Sequence, residues 1–298
     1  LGDLGRQGLQ ARHLADRVHR RAQVLELFRE VEGHDSQAYG SVGGLTASPA
    51  GTVTRMPPHR PLPEVLADQH ASDLHVASEA EVMAALTTMV QHPEYPCLGA
   101  KSVFRREGAR VVVLDDMTDA SEGGSLARLG AELTAYGQSV DAAGDFASFI
   151  AVFRGPLPDS EVGFERALWG VLQFLHDTDE QPWAAQVSDD PAKVHFSFSH
   201  GGVAFFIVGL HPQASRVARR TPLPTMVFNL HAQFERLRSV GGYERMRDTI
   251  RRRDAALQGS VNPMVSDHGL SSEARQYAGR AVEADWVPPF EAVERARD

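Results

Sequence analysis

The chain is poor in cysteine, lysine and long apolar runs. Cys97 is the single cysteine among 298 residues. No internal disulfide can form and no thiolate-rich zinc site can be built, so a reducing, cytoplasmic setting is expected. No apolar stretch reaches the roughly 18 residues of a membrane-spanning helix. The first residues lack the charged, apolar and small-residue order of a secretory leader. Lysine occurs only at Lys101 and Lys193, and the net charge is −9. That balance argues against nucleic acid or a membrane surface as partner. Several catalytic signatures are missing too: the G-x-x-x-x-G-K-[ST] phosphate loop, the H-E-x-x-H zinc pair, the G-x-S-x-G elbow and a dinucleotide-binding glycine fingerprint.

What is present is an ordinary globular composition, 42% hydrophobic and 23% charged. It excludes disorder of the whole chain, and the length suits one or two domains with a sizeable core. Residues 5–31 read as a helix with Leu14, Val18, Leu25 and Phe28 largely on one face, and 33–63 read as a Pro/Gly-rich linker. Residues 1–77 are therefore expected to form an N-terminal arm and 78–298 the compact domain. Ser78 and Glu81 make an S-x-x-E capping box before Val82, Leu86 and Val90. A hairpin is expected from 101–106 and 110–114 about Glu107–Gly108, then a helix over 125–138, a buried strand over 147–153 and a helix over 160–176. A second hairpin pairs 193–199 with 203–210 about His200–Gly201–Gly202. There Val194, Phe196 and Phe198 share one face, and His195, Ser197 and Ser199 the other. Asn229 stands where it could cap the first of two C-terminal helices, and Gly241–Gly242 separates them. The expected class is α+β, a mixed or antiparallel sheet with hairpins flanked by helices, plus the N-terminal helical arm.

Charge is uneven. From His211 to Arg253 ten arginines stand against Glu235, Glu244 and Asp248, a local +7 that leaves −16 on the rest. His211 follows the apolar run VAFFIVGL and precedes Pro212, which ends the strand. An imidazole there can ligate a metal or a haem iron, or be satisfied by backbone hydrogen bonds. Ser215, Arg216, Arg219 and Arg220 follow. In a helical turn Arg216 and Arg220 would share a face and could hold two carboxylates; otherwise they are surface ion-pair residues. Cys97 reads either as a small buried hydrophobe or as an axial thiolate. His195 meets solvent or lines a site. His176 and Asp179 resemble half of a di-iron motif without its second copy, and a helix C-terminus already accounts for His176. Asp115–Asp116 reads as a turn or a metal site.

Six blocks carry more than pattern: YPCLGAKSVF (95–104), HFSFSHGGVAFFIVG (195–209), GLHPQASRVARR (209–220), PTMVFNLHAQFERLR (224–238), ALQGSVNPMVSDHG (256–269) and SEARQYAGRAV (272–282). Together they resemble the YqcI/YcgG family over roughly residues 78–290. Members with assigned roles resemble haem-dependent oxygenases that N-hydroxylate guanidine or amine nitrogens, as in guanitoxin-type natural-product biosynthesis. The resemblance implies haem b, dioxygen as co-substrate, an external electron donor and a small amino-acid-like guanidine or amine substrate. His211, Cys97 and His195 all fall in matching blocks, so the resemblance does not choose among them; the arginine cluster beside it places His211 first as axial iron ligand, Cys97 is second for its thiolate chemistry and His195 third, with Ser215, Arg216 and Arg220 at the cofactor. His195 and Cys97, where not ligands, are expected to line the catalytic pocket. Asn262, Glu273, Arg275, Gln276 and Tyr277 are expected as pocket or structural residues. A guanidinium substrate needs a carboxylate from among Asp115, Asp116, Asp177 and Glu273. The alternatives are a non-catalytic haem-binding protein, a metal-free small-molecule binding module, and a non-haem iron site drawn from His176, His195, His211 and Asp179. A homodimer is compatible with all of these.

Overall fold

The computed structural model describes residues 59–141, 146–239, 241–264 and 271–292. The helix expected over 5–31 and most of the linker lie outside the described residues. Two short helices, α1 (Leu62–Ala67) and α2 (Ala71–Leu74), precede α3 (Glu79–Gln91). Leu62 packs with Met89, Val90, Tyr95 and Val217, so packing against the body begins before residue 78. The capping box forms as expected. Ser78 N donates to Glu81 Oε2 at 2.8 Å, and Glu81 N donates to Ser78 Oγ at 3.3 Å.

The first hairpin is not formed. Residues 98–105 make a helix, α4 (Leu98–Arg105), with Cys97 as its N-cap. The Glu107–Gly108 turn signal misleads here, because the buried set is Leu98, Lys101, Ser102 and Val103, which follows a helix face rather than a strand face and contains a lysine. The Lys101 ammonium donates to the His92 carbonyl at 2.7 Å, which lets a charge replace a core side chain. Strand β1 (Ala109–Asp116) then crosses through α5 (Ser125–Ser139) to β2 (Ser148–Gly155), its parallel neighbour.

After α6 (Glu161–Thr178) come β3 (Phe198–His200) and β4 (Val203–Leu210). Their turn uses Gly201 at φ 61° and Gly202 at φ 74°, conformations that favour glycine. Of the expected 193–199 strand only Phe198 and Ser199 pair with β4, joined by His200 from the expected turn; Lys193–Phe196 turns away, with Phe196 bridging to Ser188. Strand β5 (Thr225–Leu230) slots between β2 and β4, antiparallel to both. Pro222 and Pro224 precede β5 rather than interrupt it. The sheet order is β1-β2-β5-β4-β3, and the fold is α+β with a mixed sheet. Asn229 is not a helix cap: it lies in β5, accepting from Ser148 Oγ at 2.7 Å and donating to the Phe206 carbonyl at 3.2 Å. Helices α7 (His231–Ser239) and α8 (Tyr243–Gln258) follow, and α9 (Ala274–Tyr277) closes the described chain against β4.

Alternation along β2 sorts the core. Phe149, Ala151 and Phe153 pack with Leu129 and Leu133 of α5 and Leu168 and Leu172 of α6. Ile150 and Val152 pack with Val82 and Leu86 of α3. The sheet is thus buried on both faces.

Candidate functional site

The site begins where β4 ends. Pro212 stops the strand, and His211 N donates to the Arg219 carbonyl at 3.0 Å, closing the loop. His211 is 1% exposed. Its ring stacks on Phe164 of α6, with centroids 4.2 Å apart and planes at 22°. Neither ring nitrogen has a hydrogen-bond partner among the described residues. Burial lowers its pKa to about 4, Arg219 adds to that, and Glu161 opposes it. His211 is therefore a neutral imidazole with an unused lone pair in a dry setting. Such orphaned buried polar atoms are rare, since leaving one unsatisfied costs free energy.

Gly209 makes this packing feasible. A Cβ there would lie 2.6 Å from Phe164, 2.7 Å from Leu168 and 2.9 Å from the Tyr277 carbonyl. Gly209→Ala is expected to destabilise by about 1–3 kcal/mol through overpacking. It should also shift the near-ultraviolet circular dichroism as Phe164 moves; an unchanged melting temperature would contradict this packing.

The arginines do not share a face. Val217–Arg219 forms a single 3₁₀ turn flanked by extended residues. Arg216 points inward, its Nη2 donating to Asp254 Oδ2 at 2.6 Å and to the Ser260 carbonyl at 2.7 Å. Arg220 is exposed, donating to the carbonyls of Ala214 at 2.8 Å and Ser215 at 3.4 Å. Ser215 is held by Glu161 Oε1, which accepts from its N at 2.9 Å and its Oγ at 2.8 Å. Arg219 lies between them and binds the carbonyls of Gly209 at 3.0 Å and Gln276 at 3.3 Å. Burial holds its pKa below the usual arginine value, while Tyr95, Cys97 and Asp254 favour its charge. Arg219 is thus the electrostatic centre that both His211 and Cys97 feel.

Cys97 is half-buried and accepts from Ala100 N at 3.5 Å. Burial raises its pKa, against the hydrogen bonds of Ala100 and Gly99 and the charges of Arg219 and Lys101. It rests as a thiol. His195 stands exposed in a turn, and its ring makes no hydrogen bond or ion pair among the described residues. Its strand's polar face is spent internally rather than forming a ligand wall. Ser199 Oγ accepts from Ala184 N at 3.0 Å, and the Ser197 hydroxyl lies 2.8 Å from Glu273 Oε1.

Glu273 belongs to a second cluster. Tyr277 OH donates to its Oε1 at 2.5 Å, and Phe198 N donates to the Tyr277 oxygen at 3.1 Å. Burial raises the Glu273 pKa to about 7, even though Tyr277, Ser197 and Arg238 favour its charge. Among the proposed carboxylates Glu273 alone is set in such a network. Asp115 is exposed beside Arg154, Asp116 accepts from Thr118 in a turn, and Asp177 takes Gln173 Nε2. Asn262 N donates to Asp254, Arg275 binds carbonyls of the tail, and the Gln276 carbonyl serves Arg219. His176 packs edge-on against Trp183, whereas Asp179 turns to the Gly201 amide at 2.8 Å, so the half di-iron pair does not converge. The described residues contain no group of three His, Cys, Asp or Glu placed to hold a metal ion. That leaves no two-His-one-carboxylate site among them. Phe164, Asp254 and Tyr95 escape the sequence reading as site residues; Arg219 is named there in the arginine run but given no role of its own.

A haem needs one axial donor rather than three ligands, and His211 fits that demand in charge, desolvation and free lone pair. Arg216 does not fit as a propionate anchor, because Asp254 and Ser260 already take its guanidinium. Arg220 is the better candidate. Among the described residues no helix is long and apolar enough to cross a membrane.

The model of the YqcI/YcgG family matches residues 86–291. The chain is also similar to the "Uncharacterized protein YcgG" of Bacillus subtilis (strain 168). The two are 26% identical over 182 residues, which cover 59% of this chain and 71% of the relative. No solved structure matches. The match spans β1 to β5 and the loop from His211 to Arg220, so the chain belongs to the YqcI/YcgG family.

Proposed function

We propose that this protein is a haem-dependent oxygenase that N-hydroxylates a guanidine or amine nitrogen of a small amino-acid-like substrate, and that His211 would hold the haem iron. The observation that supports this best is the imidazole itself: buried, neutral and without a hydrogen bond at either nitrogen. Haem, when bound, supplies dioxygen chemistry driven by an external electron donor. One oxygen atom ends on the substrate nitrogen and the other leaves as water.

The chain's own residues have defined parts. The Phe164 ring fixes the plane of the imidazole, and the Gly209 backbone gives Phe164 room. Arg220, whose Nε and Nη2 hold the Ala214 and Ser215 carbonyls, would offer its remaining Nη1 to a propionate. Arg219, wedged on the carbonyls of Gly209 and Gln276, ties the His211 loop to α9. Water is kept from the imidazole by the same packing, which preserves its neutral form at physiological pH.

The test is an absorption spectrum of protein expressed with haem precursor, oxidised and then reduced under carbon monoxide. A Soret band near one equivalent of haem is expected. His211→Ala should abolish it, and Cys97→Ser should leave it in place. The reduced carbon monoxide band should be that of an imidazole-ligated iron. A featureless spectrum overturns the reading, and loss of the band in Cys97→Ser alone moves the ligand to sulfur.

A further inference from the structure

A cavity lies along the outer face of α6. Gly163, Arg166, Ala167, Gly170 and Phe174 fall on one side of that helix and border the cavity, whose volume is about 540 Å³. That volume lies in the range of small-molecule pockets. Met117, Leu126 and Leu157 supply apolar walls. Leu157 is 50% exposed, so this apolar surface is open to a ligand.

Two features argue that the space is kept. Gly170 sits within an 18-residue helix, where glycine weakens the helix relative to alanine. No packing demands it, because a Cβ at Gly170 would meet nothing within 4 Å. What the missing side chain leaves is room. The charges also sort to one end. Asp159 lies directly over Gly163, where a Cβ would be 2.6 Å from its Oδ1. Among the described residues it accepts only from Ser160 Oγ, at 2.9 Å. Arg166, one turn along, makes no hydrogen bond or ion pair among the described residues and does not pair with Asp159. The cavity thus has an anion and a cation at its head and apolar walls beyond.

We infer that this cavity binds a free α-amino acid with a large apolar side chain. Arg166 takes the carboxylate, Asp159 takes the ammonium, and the side chain lies over Gly170 toward Phe174. A charged fork on a carboxylate and a carboxylate on an ammonium are the stronger kinds of hydrogen bond. Phe164 lines the same cavity and stacks on His211, so an occupant would touch the residue that fixes that imidazole. The inference itself needs no iron and goes beyond the oxygenase reading.

Calorimetry on the haem-free full chain tests it with L-tryptophan and L-phenylalanine as probes. Saturable binding is expected. 3-Phenylpropionate, which lacks the ammonium, and phenethylamine, which lacks the carboxylate, should each bind at least about tenfold more weakly. Arg166→Gln should weaken the amino acid by a similar factor. Gly170→Trp should abolish binding with unchanged far-ultraviolet circular dichroism, and Gly170→Ala should retain it. The inference is overturned if neither amino acid saturates, if the acid or the amine binds as tightly, or if Gly170→Trp binds like the parent. None of these outcomes alters the Soret test, so the two readings fail separately.

Discussion

Arg216→Ala is expected to destabilise the protein by about 3–5 kcal/mol, because it leaves a buried carboxylate without its partner. Arg216 and Asp254 have side-chain exposures of only 10% and 12%, and their atoms meet at 2.6 Å. The same Nη2 holds the Ser260 carbonyl, and Asp254 also accepts from Asn262 N at 3.1 Å. One guanidinium therefore ties the 3₁₀ turn to the end of α8 and to the loop after it. Removing it strands Asp254 in a dry pocket, where desolvation of the charge is no longer offset. A fall in melting temperature of roughly 10 °C should follow for a domain of this size. In urea the midpoint should drop at a constant slope. The double variant Arg216→Ala with Asp254→Asn should recover part of the loss, since the uncompensated charge is then gone. Arg220→Ala should change stability by no more than about 0.5 kcal/mol, since its side chain is exposed. The pair separates the two arginines that spacing alone treats as equivalent. If Arg216→Ala melts like the parent, Arg216 is free for a ligand and the structural assignment of the ion pair is wrong.

That contrast shows where sequence reading stopped. Motifs whose physics is local were legible. The Ser78–Glu81 capping box, the Gly201–Gly202 turn and the helices at 125 and 160 all depend on neighbours within a few positions. Elements set by distant partners were not. Residues 101–106 stand before a Glu107–Gly108 turn signal like the first arm of a hairpin, but the His92 carbonyl lets Lys101 go inside and a helix wins. The segment TPLPTMVF looks broken by prolines, yet both stand before β5, and β2 and β4 on either side make it a central strand. Asn229 carries a cap residue's chemistry, but Ser148 and Phe206 of the neighbouring strands claim it first. The same holds at the candidate site. His211 and the arginine run stand out as residues, while Phe164, Asp254 and Tyr95 come from other elements and only the fold delivers them. Glu273 and Tyr277 lie four apart on a short helix, so their pairing was within reach of spacing alone.

Glu273→Gln should reveal a pH dependence that the parent conceals. In the folded chain Glu273 titrates near 7, against an ordinary 4.5. Its stabilising contribution is full below about pH 4.5, where both states are protonated. It is lost as pH rises through 7, because the unfolded chain ionises first. His211 runs the other way. Its folded pKa near 4 lies below an ordinary 6.5, so its contribution is full above 6.5 and is lost as pH falls toward 4. Each shift corresponds to roughly 3 kcal/mol when fully expressed. Between about pH 4.5 and 6.5 the two slopes oppose and largely cancel, so the haem-free parent should show a nearly flat stability there. His92, also lowered by burial, tilts it slightly in the sense of His211. The exposed carboxylates Asp68, Glu81, Asp119 and Glu283, all lowered by their partners, act only on the acid side of this window. Glutamine keeps the acceptor for Tyr277 and Ser197 but cannot ionise. Glu273→Gln should therefore gain stability steadily from pH 4.5 to 6.5. His211→Phe, which preserves the stack on Phe164, should lose stability from pH 4.5 to 7. Urea midpoints across this range give both slopes. Parallel curves for the parent and Glu273→Gln would mean that Glu273 is ionised and solvated in the fold. A flat curve for His211→Phe would point to the same fault from the other side.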